Sequence, residues 1–101
     1  MNPYMEIAKN AAHSGMLANE GGPFGAVITD KQGKIIATGN NQVLKNNDPT
    51  AHAEVTAIRN ACKILNTYDL SNYVLYTSCE PCPMCLSAII WANIKDVYYA
   101  C

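Results

Sequence analysis

The pair His52-Ala53-Glu54 is followed, thirty positions on, by Pro81-Cys82-Pro83-Met84-Cys85. If one centre uses both segments, the fold must bring distant parts of the chain together, a tight constraint on a chain of 101 residues. One imidazole and two thiolates suit Zn²⁺ and leave a fourth position for solvent or substrate. Glu54 is the carboxylate such a centre needs for moving protons. A Cys-x-x-Cys pair alone is common in redox and structural metal sites. Here the earlier histidine supplies a third ligand, which argues against a redox dithiol. A structural zinc site would close with a fourth protein ligand, for which Cys79 is a donor in the same segment; a catalytic site would leave Cys79 as wall.

The pattern around these residues predicts helix mouths. Cys82 and Cys85, three apart, share one face of a starting helix. His52 and Glu54 serve one centre if their helix points its N-terminus at it, because helical side chains lean that way. Two helix N-termini facing one metal would favour the thiolate form of the cysteines.

A helix is expected over 3–20, with Asn2 as N-cap, Pro3 in the first turn, and a stripe of Tyr4, Ile7, Ala8, Ala11, Gly15 and Ala18. Gly21-Gly22-Pro23 should stop it. Strands over 24–29 and 34–39 form a hairpin across Asp30-Lys31-Gln32-Gly33, and 40–49 reads as an asparagine-rich loop. A second helix follows Thr50 as N-cap, burying Val55, Ile58, Ala61, Cys62 and Leu65. A strand over 73–77, a helix from Pro83 to about Asn93 and a strand over 97–100 complete the chain. The order strand, helix, strand implies a parallel pair. The expected fold is one α/β domain over 1–101, a mixed sheet with helices on both faces.

Seven basic residues are scattered, against eight acidic ones. No run of them tracks a phosphate backbone, which argues against tight nucleic-acid binding and for a small neutral substrate. Five cysteines, no leader-like N-terminus and no apolar run of membrane-spanning length point to a reducing, cytoplasmic setting without a membrane partner. His13 reads as a partly exposed helix residue, Cys62 as core, and Tyr73, Tyr76, Tyr98 and Tyr99 as packing.

His-x-Glu followed by Pro-Cys-x-x-Cys is the signature of zinc nucleobase deaminases. At these residues the chain resembles the cytidine and deoxycytidylate deaminase superfamily. Gly21-Gly22-Pro23-Phe24-Gly25 and Thr77-Ser78-Cys79-Glu80-Pro81-Cys82-Pro83-Met84-Cys85 look most like the small bacterial guanine deaminases. Asp48-Pro49-Thr50-Ala51-His52-Ala53-Glu54 is shared with tRNA adenosine deaminases, so it does not choose the base. The resemblance implies a three-layer α/β/α fold and hydrolysis of guanine to xanthine and ammonia. It implies one zinc on His52, Cys82 and Cys85, and proton transfer by Glu54. It further implies purine contacts from Asn41 and the Ala53 amide, pocket walls from Phe24 and Trp91, and a homodimer. Such proteins continue for several tens of residues beyond the last strand. The resemblance therefore implies a chain short of a C-terminal helix and strand, with a zinc site formed and a substrate lid incomplete. Two other readings stand beside it: a tRNA adenosine deaminase, and a zinc-stabilised subunit without activity.

Overall fold

The computed structural model describes residues 2–100. Met1 and Cys101 lie outside the described residues. Helix α1 (Pro3–Leu17) begins as expected: the Asn2 carboxamide oxygen accepts from the amides of Tyr4 and Met5, and Pro3 opens the first turn. It ends before Gly21, because Asn19 already adopts the left-handed conformation. Strands β1 (Gly25–Asp30) and β2 (Ile35–Asn40) form the antiparallel hairpin, with an irregularity between Ile28 and Thr29. The expected loop over 40–49 contains a single helical turn, α2 (Val43–Asn46). Asn41 Oδ1 accepts from the Val43 amide, and the Glu20 carbonyl accepts from Leu44 and Lys45, which together nucleate that turn.

Helix α3 (Ala53–Leu65) starts later than expected. Thr50 does not cap it; its hydroxyl and amide bond Asp48 instead, and the residue at the N-cap position is His52. Strand β3 (Tyr73–Thr77), helix α4 (Pro83–Trp91) and strand β4 (Asp96–Tyr99) follow. The sheet order is β2-β1-β3-β4. Strand β1 is antiparallel to both neighbours, and β3 and β4 run parallel across α4.

Strand β1 is central and buried on both faces. Ala26 and Ile28 join Ala53, Ala57, Ala61, Leu75 and Ile89 in one core, under α3 and α4. On the opposite face α1 lies so close that a Cβ on Gly25 would collide with the Ala8 carbonyl. Tyr4 of α1 packs on Tyr76, which stacks on Tyr98 at a centroid distance of 5.3 Å. The layers are therefore α1, the mixed sheet, then α3 and α4. The buried face of α3 is narrower than its sequence suggests. Its alanines face the sheet, while Val55, Ile58, Cys62 and Leu65 flank them half-buried. Among the described residues, no helix is long and apolar enough to cross a membrane.

Candidate active site

Three backbone ties assemble the site. The Asn41 amide donates to the Phe24 carbonyl at 3.1 Å, and the Gln42 amide to the Ala51 carbonyl at 2.9 Å. Gly25 and Ser78 bond reciprocally: the Gly25 amide donates to Ser78 Oγ, and the Ser78 amide donates to the Gly25 carbonyl. Phe24, Asn41, His52 and the segment leading to Cys82 are thus fixed relative to one end of the sheet. Arg59, on α3, reaches back to Asp48 at 3.2 Å and braces the turn before His52. Thr50 hydrogen bonds first, and Arg59 second, hold the Asp48 carboxyl below its usual range.

His52 and Cys82 each occupy an N-cap position with extended backbone, ψ 160° and 170°. Neither side chain caps its own helix, so both are left for the centre. Cys85 lies one turn into α4 and is fully buried. His52 Nδ1 stands 3.6 Å from Cys82 Sγ and 3.5 Å from Cys85 Sγ. All three ligand atoms lie within 4.8 Å of one another. Tetrahedral zinc, with Zn–S about 2.3 Å and Zn–N about 2.05 Å, requires an N to S separation of about 3.6 Å. The donor set fits zinc in spacing as well as in kind. Among the described residues Cys79 is not part of this ligand cluster; it lines the adjoining cleft instead.

The cleft has a volume of about 210 Å³. His52 and Cys82 border it, with Glu54, Phe24 and Asn41. Glu54 is only 7% exposed. Burial, then the Glu54 carboxylate, then Cys82 push the Cys85 thiol far above its ordinary range. These crowded acidic groups ask for a dication, since each is more stable charged beside one. A more open groove of about 420 Å³ between β2 and α3 contains Thr38, Asn60 and Lys63 but no such donor set.

The structure therefore brings together His52, Cys82, Cys85, Glu54, Asn41 and Phe24. Ala53 is fully buried as the first residue of α3, leaving only its backbone amide to meet a ligand. Trp91 lies apart from these residues in this chain. It is 85% exposed and borders a different surface hollow with Tyr68, Ile90 and Asn93. Nine residues of helix separate it from Cys82, about 13 Å along the axis, so within this chain it does not wall the cleft. Thr77 and Glu80 line the cleft and were not anticipated as site residues. Their position beside the cysteine motif was the available signal.

The whole of 1–101 matches the cytidine and deoxycytidylate deaminase zinc-binding region. The chain belongs to this family. Among its relatives is the guanine deaminase of Bacillus subtilis, 61% identical over 96% of this chain and 62% of that protein. The X-ray structure of that enzyme superposes with a TM-score of 0.93, at 59% identity, over 99% of this chain and 64% of the other. A tRNA-specific adenosine deaminase of Haemophilus influenzae is 40% identical over 94% of this chain and 52% of its own length. The chain thus spans less than two thirds of each of these relatives. The matched family is defined by its zinc-binding region, and His52, Cys82 and Cys85 are the residues of this chain that would hold the metal.

Proposed function

We propose that the protein deaminates guanine to xanthine and ammonia, as a homodimer in the cytoplasm. The observation that supports deamination most directly is a three-ligand donor set beside a buried carboxylate in a cleft. The choice of guanine is supported by the higher identity to a guanine deaminase than to a tRNA-specific adenosine deaminase. Cleft size agrees: about 210 Å³ is below the usual range for drug-sized ligands and suits a single base.

His52, Cys82 and Cys85 would hold the metal, which when bound would supply a polarised water with a pKa near 7. Glu54 takes the proton of the attacking water. It then returns that proton to a ring nitrogen of the base and carries the second water proton, from the hydroxyl now on the reacting carbon, to the amine, which leaves as ammonia as the carbonyl forms. Asn41 holds the heterocycle edge. Its Oδ1 accepts from the Val43 amide at 3.0 Å, which fixes the carboxamide and leaves one lone pair and the Nδ2 hydrogens for the base. Phe24, 41% exposed, offers a ring face to the base, and the Ala53 amide contributes a donor at the helix start. The dispersed lysines suit a free base better than an RNA.

Ammonia release from guanine, compared with inosine formation in an anticodon stem-loop, tests the base. Turnover of guanine is expected, falling at least about 10³-fold in Glu54→Ala while one zinc per chain is retained. Inosine in the RNA without ammonia from guanine would favour the tRNA reading. Turnover of neither would favour an inactive zinc-stabilised subunit.

A further inference from the structure

The cleft contains two carboxylates in unlike settings. Glu54 is buried against Cys85 at the floor. Glu80 is exposed and lines the cleft from the segment between β3 and α4. Among the described residues, its carboxylate enters no hydrogen bond and no ion pair. Among the described residues, no lysine or arginine lines the cleft. The cations of the neighbouring segments are engaged elsewhere: Lys45 with Glu20 at 3.3 Å, and Arg59 with Asp48 at 3.2 Å. Thr77 Oγ1 donates to the Cys79 carbonyl and Pro81 follows, so the backbone on either side of Glu80 is restrained.

We infer that Glu80 is a specificity-determining residue, selecting an uncharged base over the same base bearing a 5′-phosphate. A base with its reacting carbon at the buried floor presents its opposite edge to the exposed side of the cleft. There a ribose phosphate would extend past Glu80. The phosphate carries a charge of about −1.5 to −2 at neutral pH, whereas guanine and guanosine carry none. One fixed carboxylate several ångströms away, in solvent-rich surroundings, disfavours such an anion about tenfold at low salt and less as salt screens it. Both the choice of guanine and the placing of its reacting carbon at the floor rest on the function proposed above.

Calorimetric titration of the zinc-loaded protein with guanosine and with guanosine 5′-monophosphate tests this. At about 0.05 M salt the parent protein should bind the nucleoside about tenfold more tightly than the nucleotide. Glu80→Gln should bring the two affinities within about twofold, and Glu80→Asp should restore the preference. Raising salt to about 0.5 M should shrink the preference in the parent and leave Glu80→Gln unmoved, a response that a merely structural role would not give. The same preference in parent and Glu80→Gln would overturn the assignment, as would failure of both ligands to bind either protein, since exclusion would then be steric. The titration needs no turnover. A protein inert towards guanine would remove the base assignment, while the affinity ratio would still decide the role of Glu80.

Discussion

At Cys85, burial and neighbouring negative charge act in the same direction, and both hold the proton on sulfur in the metal-free fold. In the unfolded chain a cysteine ionises near pH 8.5. Above that pH the unfolded state binds fewer protons than the folded one, so folding stability must fall as pH rises. Urea midpoints of the metal-stripped protein should therefore be lower at pH 9.5 than at pH 7, and Cys85→Val should flatten the dependence. With zinc present the sign reverses for binding, because ligation releases the thiol protons and affinity rises with pH. The ligand residues were legible in the sequence because their chemistry is written in residue type and spacing. For Trp91 the resemblance stands alone, since an aromatic residue on a helix carries no signal in sequence of what it faces. Thr77 and Glu80 were missed because a cleft wall needs no particular residue type, only a position beside the motif.

The elements were legible in kind and less so in extent. Asn19, Asn47, Asn66 and Asn93 all adopt left-handed backbone at or just beyond the ends of the four helices. Asparagine tolerates that conformation, so it replaces the glycine more often found there. In sequence Gly21-Gly22-Pro23 reads as the stop of α1, two residues beyond Asn19, and the last helix reads as running to about Asn93 itself. The later start of α3 has a similar cause, since Asp48 captures Thr50 before it can cap. Gly39 in β2 reads as a weak point of a strand, yet it is where α3 rests. A Cβ there would meet the Ala57 nitrogen at 2.5 Å and the Ala53 oxygen at 2.6 Å, both backbone atoms. Gly39→Val must lift the helix that bears Glu54. It should cost about 1–3 kcal/mol in chemical denaturation and lower turnover more than zinc content. A variant of unchanged stability would show that α3 does not rest on this residue.

Across the molecule, the sheet works as a jig for the centre. The hairpin end bears Phe24 and Asn41, and the start of α3 bears His52 and Glu54. The end of β3 leads to the cysteines, and backbone bonds tie these segments to one another. The fold class was legible because alternating strands and helices allow few arrangements that put residues thirty positions apart at one point. Assembly was not, because an edge strand such as β4, with Tyr98 and Tyr99 half exposed, reads the same alone or covered. Everything proposed for the chemistry depends on a metal with three protein ligands and one open position. X-ray absorption at the zinc edge, on protein kept reduced, tests that most directly. The account predicts two sulfur neighbours at about 2.3 Å and two nitrogen or oxygen neighbours at about 2.0–2.1 Å, the latter being His52 and a solvent oxygen. Three sulfur neighbours, with Cys79 closing the sphere, would contradict it.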